Sequence, residues 1–166
     1  STRFVADKIK LMIGIFCTEN FPRDSLRTFI DGKLHSSLAA TTKMDIGKGK
    51  FWIDTVDGKQ GLKIKETHGY EQAGCNICRD LVAKYADVST GSIGSADGWS
   101  TVFPRTEGGN EVFQAAVEAG LIETKPMDEG KFGLELLEKL ANNKADKGNA
   151  ERERRLGLGL PLPQEL

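Results

Sequence analysis

Residues Cys75 to Gly109 read CNICRDLVAKYADVSTGSIGSADGWSTVFPRTEGG, and this stretch decides the fold class because helix, strand and turn signals follow one another within it. The apolar spacing of Ile77, Leu81, Val82 and Tyr85 predicts a helix opened by Cys75, with one buried face. Asp87 to Ile93 and Trp99 to Arg105 predict two strands. The Gly94-Ser95-Ala96-Asp97-Gly98 between them is too rich in turn formers to be helical. Just downstream, Glu111 to Ala119 (EVFQAAVEA) predicts a helix ended by Gly120 as its C-cap.

Upstream, Lys8 to Phe16 (KIKLMIGIF) is a short apolar run that predicts a buried strand, and Cys17 falls at its end, where α/β proteins place chemistry. Asp24 or Ser25 caps a short helix through Ile30, stopped by Asp31-Gly32. Phe51 to Val56 and Leu62 to Lys65 alternate apolar and polar residues around Asp57-Gly58, which predicts a hairpin. Downstream, Phe132 to Ala141 predicts an amphipathic helix whose polar continuation runs through Asn142 to Arg155. The closing LGLGLPLPQEL predicts an extended tail, because its glycines and prolines oppose a helix. The expected fold is α/β (α+β): one mixed domain over residues 1–166 with short strands, a β-hairpin and several helices. A charged helix and extended tail occupy about 142–166.

Composition excludes several function classes. Lys and Arg number 23 against 24 Asp and Glu, a formal net charge of -1, so no chain-wide positive field recruits nucleic acid or an anionic membrane. The longest apolar stretch, Leu11 to Cys17, is far shorter than the roughly 20 residues that span a bilayer, and no signal peptide opens the chain. A soluble, cytoplasmic protein without a membrane span is expected. The chain starts at Ser1 rather than Met and enters strand-like sequence at once, so an absent N-terminal portion is also expected.

Three cysteines cannot pair among themselves, and Cys75 and Cys78 form a C-x-x-C, which points to a metal, cluster or redox site before a secretory disulfide framework. Three readings stay open. Cys17, His68, Cys75 and Cys78 can form a Cys₃His structural zinc set. The three cysteines can instead serve an iron–sulfur cluster, which wants a fourth thiolate. A thioredoxin-type dithiol fits less well, since it leaves Cys17 a bystander, and Cys17 can equally be a core residue. His35 and His68 are read as structural rather than as acid–base groups.

Two glycine-containing stretches suit anions. In STGSIGSADGWS, closely spaced Gly91, Ser92, Gly94, Ser95 and Gly98 expose backbone N–H groups and hydroxyls to a ligand, as a pyrophosphate or a flavin ring edge requires, with Trp99 alongside. An ordinary glycine-rich hairpin is the competing reading. In KMDIGKGK, Lys43, Lys48 and Lys50 form a compact positive segment whose alternative is a solvated loop. Arg105 can hold a phosphate or pair with Glu107.

On IGIFC (Ile13 to Cys17), KMDIGKGKF (Lys43 to Phe51) and the Cys75 to Gly109 block, the chain resembles the beta-subunit family of coenzyme F420-reducing hydrogenases and dehydrogenases of methanogenic archaea. The cysteine pair, AD-x-S, GS-x-GS, GW-S-T-V and RT-x-x-G follow the family's order and spacing. The family's N-terminal part, with a G-T-P-C segment that resembles the source of a fourth thiolate, lies outside this sequence. The resemblance implies an iron–sulfur flavoprotein subunit, an oxidoreductase carrying FAD and one [4Fe–4S] cluster. Its substrate would be coenzyme F420, a deazaflavin, and its partners the hydrogenase large and small subunits or equivalent electron-transfer subunits. It implies Cys17, Cys75 and Cys78 as cluster ligands. Lys48 and Lys50 become anion contacts for the deazaflavin tail or the FAD pyrophosphate. Two other readings stand beside it: the beta subunit of another F420-linked enzyme such as formate dehydrogenase, and a non-catalytic zinc-stabilised interaction domain docking through Asn142 to Arg155 and the tail.

Overall fold

A computed structural model of the chain describes residues 8–127 and 133–163. Helices and strands are mixed as expected, and the chain divides into two compact units, Ser1–Thr18 with Ile77–Leu166, and Glu19–Asn76. Among the described residues no helix is long and apolar enough to cross a membrane.

In the first unit, β1 (Ile13–Ile15), β5 (Val88–Gly91) and β6 (Thr101–Pro104) form a sheet in the order β1-β5-β6, with β1 parallel and β6 antiparallel to β5. The predicted buried strand is therefore corrected. It shrinks to three residues at a sheet edge, with Ile13 63% and Ile15 73% exposed, because β1 pairs on one side only. The helix α2 (Glu107–Glu118) begins four residues before the predicted start and ends where expected, with Gly120 at φ 68° just past it. Its true start is set by Thr106, whose hydroxyl accepts from the Gly109 N–H at 3.1 Å as an N-cap.

The predicted helix after Cys75 does not form. Cys75–Ile77 makes one 3-10 turn, and Tyr85, expected on its buried face, is 71% exposed. The cause is Asp80: its carboxylate accepts from the N–H groups of Val82 and Lys84 at 3.0 and 2.9 Å, offering the backbone a local partner in place of a helical one. Ala83 then takes φ 51°, outside the helical region.

Helix α3 (Leu134–Gly157) joins the predicted amphipathic helix and its polar continuation into one element. Phe132 and residues 164–166 lie outside the described residues. The helix runs two residues into the predicted tail before Gly159, at φ 64°, ends it. Three charges near its end pair within the helix: Glu151 accepts from Arg154 at 2.7 and 2.9 Å and from Arg155 at 2.9 Å. These bonds hold its carboxyl down at about 2.

The second unit holds α1 (Arg23–Lys33) and a meander of β2 (Thr41–Gly47), β3 (Lys50–Thr55) and β4 (Gly58–Lys63), antiparallel in the order β2-β3-β4. Pro22 rather than a side-chain cap begins α1, and the helix runs through Asp31-Gly32 to Lys33. The predicted hairpin forms, but its second strand is shifted: β4 starts at Gly58, paired with Thr55, rather than at Leu62, and Ile64 and Lys65 fall in a 3-10 turn. KMDIGKGK, read as a loop, is instead strand β2 and a two-residue turn, with Lys48 at φ 52° and Gly49 at φ 73°, the left-handed pair that a tight hairpin requires. Phe29, Ile30 and Leu34 of this unit pack on Phe51 and Ile53, and the Phe29 ring meets those of Phe51 and Tyr70 edge-on, each at 5.3 Å. Burying each such side chain stabilises by roughly 1.5–3 kcal/mol. On the opposite sheet face the Trp52 ring lies over Gly61, where a Cβ would collide with it, and donates from Nε1 to the Gly47 carbonyl at 3.2 Å. Lys50 and Lys59 flank that ring at 4.9 and 5.3 Å from its centroid.

The first unit converges on Asp87. One carboxylate oxygen accepts from Met12 N–H at 2.8 Å, the other from the Thr106 hydroxyl at 2.7 Å, and its backbone carbonyl accepts from Arg105 N–H at 2.8 Å. These bonds favour the ionised form and lower the Asp87 pKa from 3.8. A depressed carboxyl adds stability above its unfolded pKa and loses it as pH falls through the folded one. Asp87→Asn is therefore expected to lower the melting temperature at about pH 6, with the gap to wild type closing at about pH 3. Thermal unfolding of both proteins at the two pH values measures this; a constant gap contradicts it.

Candidate functional site

A cavity of about 490 Å³ opens beside the β5–β6 loop in the first unit. Gly94, Ser95, Gly98 and Trp99 line it from the loop, Thr101 and Phe103 from β6 and Phe113 from α2. The segment after α2 adds Lys125 and Met127. Its volume lies within the roughly 300–1,000 Å³ of ligand sites. Gly94 stands at φ 88°, and a Cβ there would meet Met127 Cε at 2.7 Å and the Gly133 carbonyl at 3.1 Å, so no side chain fits. Lys125 Nζ sits 4.2 Å from the Trp99 ring centroid, a cation–π contact that holds the ammonium at the cavity wall. The Thr101 hydroxyl donates to the Ile93 carbonyl at 2.9 Å and lies 2.6 Å from Ser95 Oγ.

Of the sequence-derived loop residues, Gly94, Ser95, Gly98 and Trp99 meet around this cavity, whereas Gly91 and Ser92 are not among its lining residues. At Gly91 the place of a Cβ is taken by the Phe16 ring, so that glycine serves packing. Phe113, Lys125 and Met127 escaped sequence reasoning. Phe113 reads as an ordinary helix residue, and the other two follow α2 in a stretch without a motif. Arg105 is engaged within the fold rather than with Glu107: its Nε donates to Ser89 Oγ at 2.8 Å and a terminal nitrogen to the Val82 carbonyl at 3.2 Å. Lys48 and Lys50 belong to the second unit, Lys48 exposed in the β2–β3 turn and Lys50 beside Trp52.

All three cysteines are free thiols, Cys17 exposed and Cys75 and Cys78 half-buried. In the first unit, Cys17 N–H donates to the Leu81 carbonyl at 2.8 Å, and Lys144 of α3 donates from Nζ to the Cys17 carbonyl. One helical turn on, Gly148 lets α3 approach so closely that a Cβ would lie 2.8 Å from the Cys78 carbonyl oxygen. Cys17 and Cys78 are thus both held against the Lys144–Gly148 side of α3. In the second unit, Cys75 Sγ accepts from Asn20 N–H at 3.3 Å. Among the described residues no three His, Cys, Asp or Glu side chains are gathered to hold a metal ion.

A family model that describes the C terminus of the coenzyme F420 hydrogenase/dehydrogenase beta subunit matches residues 1–130. The chain is 59% identical over 161 residues to the coenzyme F420 hydrogenase subunit beta of Methanothermobacter thermautotrophicus, covering 97% of this chain and 57% of the relative. It is 48% identical over 159 residues to the subunit of the same name from Methanosarcina barkeri, covering 95% and 55%. A solved structure of the xenon-derivatised F420-reducing [NiFe] hydrogenase complex from Methanosarcina barkeri contains a chain that superposes with a TM-score of 0.87 at 47% identity, covering 97% of this chain and 56% of that one. The chain therefore spans a little over half the length of these relatives.

The approach of α3 to Cys78 makes two glycines of one helix respond oppositely. Gly148→Ala is expected to destabilise by about 1–3 kcal/mol through overpacking against Cys78 and Arg79, and to speed Cys78 alkylation. Gly157→Ala, which meets nothing within 4 Å, is expected to leave stability unchanged or raise it by up to about 1 kcal/mol. Denaturant unfolding with mass-resolved alkylation reads both.

Proposed function

The chain belongs to the coenzyme F420 hydrogenase/dehydrogenase family, as the C-terminal part of its beta subunit, and from that membership we propose that it is the C-terminal portion of an iron–sulfur flavoprotein subunit of an F420-reducing hydrogenase. The observation that carries the reading is the cavity formed by Gly94, Ser95, Gly98 and Trp99, which offers a heteroaromatic ring an apolar bed with a few polar groups on its wall. The 59% identity to a hydrogenase beta subunit favours hydrogenase over other F420-linked enzymes. The hydrogenase large and small subunits, or equivalent electron carriers, are the partners.

When bound, FAD supplies the exchange between hydride pairs from coenzyme F420 and the single electrons that a [4Fe–4S] cluster carries. The residues of this chain bind and orient. Gly94 leaves the cavity wall free of a side chain, and Phe113 and Met127 exclude water from it. Lys125, held over Trp99, presents a positive charge to electron-rich ring oxygens. Lys48 and Lys50 take an anionic group of the deazaflavin or of FAD. Cys17, Cys75 and Cys78 supply three thiolates, with Lys144 and Gly148 fixing the backbone of two of them.

Anaerobically purified complete protein is expected to be brown-yellow and to contain flavin and about four iron atoms per subunit. A colourless protein with stoichiometric zinc overturns the assignment. Cys75→Ser is expected to lower iron content while hydride exchange between F420 and flavin persists; equal loss of both identifies Cys75 as structural. Replacing Lys48 and Lys50 together with Met is expected to weaken one cofactor by roughly tenfold, the loss of one charge-assisted hydrogen bond. Separate titrations of FAD and F420 show which. Unchanged affinity for both removes the turn from the site.

A further inference from the structure

The cavity wall carries a hydroxyl pair whose hydrogen-bond direction is fixed. Thr101 Oγ1 lies 2.9 Å from the Ile93 carbonyl oxygen, which can only accept, so the single threonine proton is committed there. The same Oγ1 is 2.6 Å from Ser95 Oγ. With the threonine proton used, Ser95 is the donor of that bond, and the chain of donation runs Ser95 to Thr101 to Ile93. Ser95 therefore has no proton left for a ligand and faces the cavity with lone pairs alone.

We propose that Ser95 is an acceptor by which this cavity selects its ligand, and that it reads a ring N–H of the imide type. A ligand that turned a carbonyl toward Ser95 would set lone pair against lone pair in a half-buried site, leaving both groups unpaired. The ammonium of Lys125 is the opposite kind of group, able only to donate. Ser100, Glu123 and Thr124 also line the cavity, so Ser95 acts among several polar groups; with the donor-only ammonium of Lys125 it suits a heteroaromatic ring bearing an N–H next to carbonyl oxygens. Flavin and deazaflavin rings both carry that arrangement, so the inference rests on the ring-site reading above and names the contact by which the ring is recognised.

The experiment titrates lumiflavin and its N3-methyl derivative into complete protein stripped of bound flavin, wild type and Ser95→Ala, following flavin fluorescence. Neither probe carries a phosphate, so ring recognition is measured alone. Wild type is expected to bind lumiflavin about fivefold more tightly than the methylated ring, the worth of one neutral hydrogen bond. In Ser95→Ala, lumiflavin is expected to weaken about fivefold while the methylated ring does not weaken at all. A serine that merely fills space gives the opposite sign, since trimming it leaves lumiflavin unchanged or tighter. Unchanged lumiflavin affinity, or equal weakening of both rings, overturns the role of Ser95 and leaves the ring site standing. Failure of wild type to bind either ring overturns the ring site and the proposal together.

Discussion

The first unit depends on the ionised carboxylate of Asp87. In one residue it collects the backbone just before β1, the start of β5, the end of β6 and the N-cap of α2. The Thr106 hydroxyl donates to Asp87 and accepts from Gly109 N–H, so the strand junction and the helix start share one hydroxyl. Gly109 can sit there only because it lacks a Cβ, whose place the Asp87 carbonyl occupies. Arg105 fastens the neighbouring turn through Ser89, a side chain with no exposed surface. The AD-x-S and RT-x-x-G patterns thus describe one interlocked joint at the base of the β5–β6 loop, beside which the cavity opens.

This joint explains which parts of the fold were legible. The existence of the β3–β4 hairpin and the body and end of α2 are legible because their signals are local: alternation about a turn, and a periodic run stopped by Gly120. The segment after Cys75 carried helical spacing too, but Asp80 claims the amides of Val82 and Lys84, and a three-residue capture outcompetes a periodicity without a strong core behind it. Strand β2 was hidden by its lysines. The alternation of Lys43, Met44, Asp45 and Ile46 is a strand signal, but charge drew the reading toward a loop. At the cavity, glycine density exposed the loop side, while Phe113, Lys125 and Met127 come from elements brought there by tertiary packing, which no local pattern announces.

Helix α3 lies wholly beyond the residues matched by the family model, yet it is the element that touches both thiol-bearing segments of the first unit. A lysine and a glycine four residues apart perform complementary tasks there. One reaches out to a carbonyl; the other stands aside to let a backbone come close. Near the end of the helix Glu151, Arg154 and Arg155 pair with one another on a single stretch of its surface.

The bed that Gly61 makes for Trp52 acts as a proofreading device during assembly of the second unit. A slip of β4 by one residue against β3 would turn Leu62 toward solvent and pull it from the packing around Phe51 and Ile53. A slip by two restores the faces but brings Lys59 or Lys63 opposite the indole, which then has nowhere flat to lie. Each mispairing forfeits a different contact, so the meander has one low-energy alignment.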